Sequence, residues 1–301
     1  MDHGLLALIA VQIVGEALPI SSSGHLALVD ALFFKKLNVL PEHFDHFFHG
    51  PTIVVVLCFF WRAWWGPVRY GAKALWRLLS GERWCTLPYS NRCLLTFFMR
   101  VGVMVVVADC VTAVFYWLIR CEGIARIISE ATSMVMLGIG FCVTASVLVS
   151  SWFATRFVGT RSMNNVKISL ILGLTQGLAL LPGISRFAVT TVAAQWLGLS
   201  PRRAMQFSFL MFFPLMCAAF VFHGLPLVIS GIGEGPLFFI PGIDPESILS
   251  HFLSLPTLGV ILSATLLSYG ALALSYRLVI THRLWWFGVY MLVPIILAVL
   301  E

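Results

Sequence analysis

The chain has 301 residues, of which 59% are hydrophobic and only 11% are charged. A soluble domain carries about 25% charged residues, so this composition excludes an ordinary globular protein and predicts an integral membrane protein with several spans. The formal net charge of +6 is grouped between apolar runs, as in multi-pass membrane proteins. We therefore expect membrane lipids, and no nucleic acid, as partners.

The first apolar run, residues 4–20, contains Gln12 and Glu16. A polar turn with the sequence Ser21-Ser22-Ser23-Gly24-His25 follows, and a second short apolar run occupies residues 26–34. An ionisable side chain at bilayer depth is costly and marks a functional site by default. The pattern predicts a re-entrant helix-turn-helix, because bare backbone is tolerated at membrane depth only where it lines a protein cavity.

The long apolar runs predict about six transmembrane helices, because about 20 residues are needed to cross the hydrocarbon core. These runs are residues 51–65, 101–119, 131–152, 207–229, 256–275 and 284–300.

A second broken segment lies between the third and the fourth of these runs. Residues 168–181 contain Gln176 and lead into Pro182-Gly183-Ile184-Ser185-Arg186, which a short apolar run at 187–199 follows. The order of glutamine, leucine-proline and isoleucine-serine resembles that of the first segment. This weak internal likeness predicts a second re-entrant helix-turn-helix.

The predicted fold class is thus an all-α polytopic membrane protein in which two re-entrant segments belong to an inverted repeat. We expect a single integral membrane domain, 1–301, with repeat halves at about 1–155 and 156–301. Inverted repeats with broken helices place the binding site where the two repeats meet.

Charge predicts the orientation of the chain. Residues 62–100 are strongly basic and contain a single acid, Glu82, whereas residues 230–250 contain Glu234, Asp244 and Glu246 without Lys or Arg. By the positive-inside rule the first stretch is a cytoplasmic loop and the second is external. The basic pair Lys35-Lys36 is the exception. In this topology one re-entrant segment enters from each side, so that their turns meet near the midplane.

Gln12 and Glu16 are four residues apart and share a helix face. An amide and a carboxylate in this position could accept a proton, position a water molecule or bind a divalent cation through oxygen. The alternative is a glutamate buried for structural reasons and paired with an arginine.

The residues of the first turn offer hydroxyls, backbone N–H groups and an imidazole at a helix start, which together form an anion cradle. Ser22 near His25 is also the minimal pair of a nucleophile and its base, with Ser21 as an accessory hydroxyl. The alternative is a helix N-cap followed by a histidine at the membrane interface.

The second turn has a related composition. Gly183 permits close backbone approach, Ser185 can cap the next half-helix, and Arg186 is suited to bidentate phosphate recognition. Thr190 lies four residues further on the same face and could add a hydroxyl. The alternative is a salt bridge between Arg186 and Glu16, which would also bring the two turns together.

A histidine-rich stretch resembles a metal cluster in its composition. We interpret it as a polar wall at the mouth of the cavity, because no ligand set in it closes tetrahedrally. Its members are His43, Asp45, His46 and His49.

Two motifs carry a resemblance to a known family. Residues 12–26, Q-x-x-x-E-A-L-P-I-S-S-S-G-H-L, closely resemble the first signature of the undecaprenyl pyrophosphate phosphatase (bacitracin-resistance) family. Residues 182–190, P-G-I-S-R-F-A-V-T, resemble its second signature, and weaker likenesses include Phe287 with Tyr290. The likeness covers most of the chain, and both motifs occur in the family's order.

The resemblance implies a membrane hydrolase that converts undecaprenyl diphosphate to the monophosphate and phosphate and so recycles the cell-wall carrier lipid. It implies a bacterial inner membrane location, a site that opens to the external side, stimulation by a divalent cation (Mg or Ca) and no organic cofactor. A homo-oligomer is possible. Carried over by position, the catalytic residues are Glu16, Ser22, His25 and Arg186, and the accessory residues are Gln12, Ser21, Ser185 and Thr190. We expect these accessory residues and Gly183 to bind phosphate, and from their spacing we expect Glu16 and Gln12 to be the metal ligands.

Two positions depart from the family pattern. Phe187 replaces a serine, which removes a hydroxyl from the second turn, and Met291 follows Tyr290 where an arginine is common. The rival interpretation is a polyprenyl-phosphate flippase or small-anion transporter with the same architecture. Ser22 with His25 favours the hydrolase, because a carrier needs the anion cradle but not a nucleophile and a base. The attacking group, Ser22 or a water molecule, is left open.

Overall fold

The computed structural model describes residues 3–34, 44–81, 88–121, 134–154, 166–224 and 255–300. Helices account for nearly all of these ranges, and no strand occurs within them. The helices are α1 (His3–Glu16), α2 (Ser22–Phe34), α3 (Phe44–Phe47), α4 (His49–Leu79), α5 (Tyr89–Arg120), α6 (Met134–Ala154), α7 (Val166–Leu178), α8 (Arg186–Trp196), α9 (Pro201–Ala219) with a π-helical turn (Phe220–Gly224), α10 (Leu255–Ile280), α11 (Trp285–Tyr290) and α12 (Leu292–Leu300).

Four of the described helices are long and apolar enough to cross a membrane: α5, α6, α9 with its π-helical turn, and α10. Helix α4 makes a fifth if its two bent parts are taken as one span. The multi-pass membrane character predicted from composition is confirmed. The count of six stays a prediction, because the last apolar run consists of two short helices, α11 and α12, that are separated at Met291.

Helix α4 is bent by 51° between its parts His49–Gly66 and Val68–Leu79. The bend falls at Pro67, and a proline inside a helix removes a hydrogen bond and kinks the axis. The basic stretch at residues 62–100 was predicted as a loop. Its described residues are largely helical, because α4 and α5 both extend into it. Arg69, Lys73 and Arg77 are exposed on the second part of α4, whereas Ala74 is buried.

The two broken segments form two helix-turn-helix units. Helix α1 packs against α2 and against α10, and helix α7 packs against α8 and against α5. Each unit thus rests on a long helix from the other half of the chain. Helices α1 and α7 have 14 and 13 residues, or about 20 Å at about 1.5 Å per residue, which is less than the bilayer core of about 30 Å.

The largest apolar core lies where α4, α6, α8 and α9 converge. Phe141 and Leu148 of α6, Met205 and Phe209 of α9, and Phe187 of α8 are buried in it. This core fixes α8, and with it the second turn, against the helices that surround the site.

Several predictions concern residues outside the described ranges. They include the basic pair Lys35-Lys36, His43, the acidic stretch with Glu234, Asp244 and Glu246, and the end of the run at 207–229.

Candidate functional site

The end of α1 carries a buried polar cluster. Gln12 and Glu16 are only 3% and 6% exposed, and Gln12 Nε2 donates a hydrogen bond of 3.0 Å to Glu16 Oε1. His49 Nδ1, at the start of α4, lies 2.7 Å from the same oxygen. Glu16 Oε2 and Gln12 Oε1 are buried and have no hydrogen-bond partner. Because buried polar atoms are nearly always paired, these two oxygens are candidates for binding a ligand.

The first turn orients His25. Ser21 has a left-handed backbone (φ 63°), and its carbonyl accepts a 2.9 Å hydrogen bond from His25 Nδ1. This bond places the ring proton on Nδ1, so that Nε2 is the acceptor. Tyr290 from α11 places its hydroxyl 3.2 Å from Nε2, and its ring stacks on the imidazole. His25 therefore presents a basic nitrogen that one hydroxyl covers.

Ser22 opens helix α2 directly after this turn. A Cβ atom added at Gly15 would lie 3.0 Å from Ser22 Cβ, so the glycine in α1 allows the start of α2 to approach closely. Ser23, the next residue, is exposed.

The second turn is held by helix α6. Gly183 has φ +82°, which favours glycine, and an added Cβ would lie 2.6 Å from the carbonyl oxygen of Leu137. The buried hydroxyl of Thr144 donates to Gly183 O at 2.9 Å and accepts from Ser185 N at 2.9 Å. One side chain thus secures both ends of the turn, and the Ser185 hydroxyl caps α8 by accepting from Ala188 N.

The two turns touch each other. A Cβ atom added at Gly24 would lie 2.9 Å from the Cα of Gly183 and 2.7 Å from the ring of Phe141. Gly24 is therefore required for contact between the two units, whereas Gly183 is required for contact of the second turn with α6.

Arg186 completes the cluster from the first residue of α8. Its guanidinium lies over the ring of Phe212, and it interacts electrostatically with the carboxylates of Glu16 and Asp109. His49 contacts the edge of the same Phe212 ring. The structure thus brings Glu16 and Arg186, which are far apart in sequence, to one centre, as the shared-site hypothesis requires.

Other predicted residues lie nearby with their groups already engaged. The hydroxyl of Thr190 is buried, donates to Arg186 O at 2.7 Å and contacts the hydroxyl of Ser208. Phe187 packs against Phe209 in the apolar core, and Met291 is fully buried. The two side chains that depart from the family pattern therefore serve packing.

Sequence reasoning missed two contributors and undervalued a third. Asp109 is the only acid within α5 and could have been found by the argument that marked Glu16. Tyr290 had been noted only in a weak family likeness, and its contact with His25 was not predicted. His49 was interpreted as part of a polar wall, but it contacts the catalytic candidate Glu16 directly.

Among the described residues, no group of three or more His, Cys, Asp and Glu side chains is arranged to hold a metal ion. A cation would therefore need ligands from amide oxygens, water or substrate as well as from Glu16.

The fold and the site define a class: a helical multi-pass membrane protein whose acid, imidazole and arginine converge where two glycine-containing turns meet. Residues 5–297 match the family model described as "Bacitracin resistance protein BacA", and the chain belongs to this family. It is similar to the undecaprenyl-diphosphatase of Salinibacter ruber (30% identity, covering 75% of this chain and 78% of that protein) and to that of Treponema denticola (29%, covering 94% and 91%). The undecaprenyl-diphosphatase of Elusimicrobium minutum is 31% identical over 70% of this chain and 71% of its own length.

Proposed function

We propose that this protein is an undecaprenyl-diphosphatase that hydrolyses the diphosphate of the carrier lipid to the monophosphate and inorganic phosphate. The observation that carries the proposal is the convergence of Glu16, His25 and Arg186 on two turns that touch. Family membership and the names of the relatives support the same substrate.

In this proposal the diphosphate binds at the two turns. Arg186 offers a planar fork of N–H donors to the phosphoryl oxygens, and the N-terminus of α8 adds a favourable dipole. Phosphoryl transfer depends mainly on positioning and on stabilisation of negative charge, which is what these groups supply. Ser21, Gly183 and Ser185 shape the cradle around the anion.

Hydrolysis needs a nucleophile and a proton acceptor. Ser22 or a water molecule attacks the terminal phosphorus, the bond to the bridging oxygen breaks, and the lipid monophosphate leaves. His25 Nε2, whose ring is oriented by the bond from Nδ1 to Ser21, takes the proton of the nucleophile. If Ser22 attacks, water then hydrolyses the phosphoserine. Glu16 lies on the other side of the phosphate. Together with Gln12 and His49, which contact it, Glu16 controls the charge on that side.

A divalent cation fits the end of α1. Glu16 Oε2 and Gln12 Oε1 are unpaired oxygens, and Mg²⁺ in phosphate sites takes one or two carboxylates together with substrate oxygens and water. Glu16 and Gln12 would hold the ion, which would supply charge stabilisation for the phosphoryl oxygens.

The lipid tail has an apolar groove next to the second turn. A cavity of about 550 Å³ lies between α6, α7 and α8. It begins at Gly140, Pro182 and Ile184, beside the turn, and extends along α8 to Trp196. We assign this groove to the isoprenoid units nearest the diphosphate.

The finer topology belongs to the same proposal. We infer that the two helix-turn-helix units are re-entrant segments of an inverted repeat in the inner membrane, with the site open to the external side. The exchange of packing partners, α1 on α10 and α7 on α5, supports the repeat.

The test is phosphate release from undecaprenyl diphosphate by the purified protein in detergent. Arg186→Ala and His25→Ala are expected to lower the rate by about a hundredfold to a thousandfold, the range for loss of one transition-state contact. Arg186→Lys should fall short of the wild type, because an ammonium is a point charge without the planar fork. Wild-type rates in all three variants would contradict the proposal and favour the transporter interpretation.

A further inference from the structure

We propose that Phe212 is a positioning residue, whose ring supports the guanidinium of Arg186 and keeps its N–H donors available for the diphosphate. This role rests on the proposed function, because that proposal assigns phosphate binding to Arg186. It concerns an apolar side chain of α9 that lies outside both signature motifs.

The contact between Arg186 and Phe212 joins a charged group to the face of an aromatic ring. The guanidinium, which belongs to the first residue of α8, lies directly over the ring. Phe212 is 5% exposed and is part of the largest apolar core, so its ring is held in place by its neighbours. The face of an aromatic ring attracts a cation, most strongly where water is excluded. The contact therefore favours one location of the guanidinium.

The packing of α8 against α9 aligns these two residues. One turn further along α8, the hydroxyl of Thr190 lies 2.5 Å from the hydroxyl of Ser208, which is one turn earlier in α9. The two pairs thus follow each other in opposite directions along the two helices. Because residues four apart share a face of a helix, the hydrogen bond between the hydroxyls keeps Phe212 in register with Arg186.

The same ring connects the arginine to the acid of the site. The rings of His49 and Phe212 have centroids 6.0 Å apart and planes at 89°, the edge-to-face geometry that aromatic pairs favour. His49 Nδ1 in turn lies 2.7 Å from Glu16 Oε1. A chain of contacts thus runs from Glu16 to Arg186 through two rings, and it fixes the position of the arginine relative to the acid.

This support leaves the hydrogen-bonding atoms of the arginine available. Among the described residues, the Arg186 guanidinium donates no hydrogen bond to a protein oxygen and forms no ion pair with Glu16, whose carboxylate contacts His49 instead. The aromatic ring is not a carboxylate, so it holds the cation without occupying its planar fork of donors. Without the ring, we expect the guanidinium to turn toward Glu16, and a direct ion pair would compete with phosphate for the same N–H groups.

The sharpest test weakens the attraction of the ring for a cation and keeps its shape. Phenylalanine analogues with one, two or three ring fluorines at position 212 withdraw charge from the ring face. They should lower the affinity for inorganic pyrophosphate stepwise, by about threefold to thirtyfold in total, the range that a cation–π contact provides. The matched control is the same series at Phe209, which lies in the same helix, is 2% exposed and packs against the rings of Phe60 and Phe187. Its affinity should stay at the wild-type value.

A double-mutant comparison separates positioning from a general packing role. Phe212→Leu keeps an apolar side chain and removes the ring, so phosphate release from undecaprenyl diphosphate should fall by about threefold to thirtyfold. In the Arg186→Ala background the same substitution should cost little, because no guanidinium is left to support. Equal losses in both backgrounds, or equal responses to fluorination at positions 212 and 209, would overturn the role. If Phe212→Leu does not fold, the fluorinated series decides.

Binding of pyrophosphate by the purified proteins distinguishes this inference from the proposed function. A wild type that binds pyrophosphate but releases no phosphate from the lipid contradicts the proposed function alone, and the fluorinated series then decides the role of Phe212 by affinity. A wild type that hydrolyses the lipid without binding free pyrophosphate is tested by kcat/KM in the same series. Unchanged affinity and unchanged kcat/KM across the series at position 212 contradict the positioning role alone. A wild type that neither hydrolyses the lipid nor binds pyrophosphate contradicts both.

Discussion

At the scale of single residues, the site is a set of side chains whose contacts limit their chemistry. His25 has one nitrogen bonded to a backbone carbonyl and the other in contact with the hydroxyl of a tyrosine. Glu16 has one oxygen shared by two neighbours and one unpaired oxygen. In the proposed reaction each of these two side chains therefore has one atom for substrate or cation, His25 Nε2 and Glu16 Oε2.

The identity of the nucleophile is a prediction at this scale. Ser22→Ala is expected to lower phosphate release by about a hundredfold or more, since it removes the attacking hydroxyl. Ser23→Ala, at the exposed adjacent position, is the matched control and should retain activity. Near-normal turnover of Ser22→Ala would instead assign the attack to a water molecule.

Sequence reasoning was most effective for residues that lie in the turns. Glycine, proline and an isolated charge are local signals, and they marked Glu16, His25, Gly183 and Arg186 as candidates that the structure places near one another. The contacts of Glu16 with His49 and of Asp109 with Gln176 depend on which helix faces meet. In membrane helices, hydrophobic periodicity is a weak guide to which helix faces meet, because lipid and protein core are equally apolar.

At the scale of elements, helix α6 supports the second turn. Its Gly140 lies against the backbone of Pro182 and Gly183, and its Thr144 bonds both ends of the turn. The run of apolar residues that forms α6 was predicted as a span, but its role as a platform could not be predicted, because Thr144 and Gly140 resemble ordinary small residues of a membrane helix.

Removal of the Thr144 hydroxyl tests this platform. Thr144→Val keeps the shape and leaves Gly183 O and Ser185 N unpaired, at a cost of about 1–3 kcal/mol for each buried group. We expect a lower melting temperature in detergent and slower phosphate release. Thr144→Ser keeps the hydroxyl and should behave like the wild type, and a Thr144→Val protein of unchanged stability would contradict the model of the turn.

The groove between α6, α7 and α8 gives a prediction about chain length. Val143→Trp should fill the groove and raise KM for undecaprenyl diphosphate, while hydrolysis of a diphosphate with a very short chain changes less. Leu266→Trp, on an exposed face of α10, is the matched control. Equal effects on long and short substrates would show that the tail lies elsewhere.

At the scale of the whole molecule, the broad architecture followed from composition, whereas the number of spans did not. The long apolar runs predict α5, α6, α9 and α10 as spans. The break at Met291 and the bend at Pro67 prevent a count of the remaining spans from apolar length alone. The predicted orientation of the chain still depends on the positive-inside rule. The basic residues to which the rule is applied are exposed on the second part of α4.

The orientation prediction can be checked by cysteine labelling in a variant without the seven native cysteines. Ser80→Cys, at the end of α4, should react with an impermeant maleimide only after the cells are opened. Ile240→Cys, outside the described residues, should react in intact cells. The reverse pattern would invert the topology and move the opening of the site to the cytoplasmic side.

The contact between Glu16 and His49 has a consequence for biosynthesis. Glu16 leaves the ribosome long before Arg186, and at about 5–20 residues per second the delay is roughly 10–30 seconds. During that interval the nascent chain can offer the carboxylate Gln12, from its own helix, and His49, from the next long helix. Of the charged or ionisable side chains that meet Glu16 in the folded protein, His49 is thus synthesised well before Arg186, so the acid can be paired before the second turn is made.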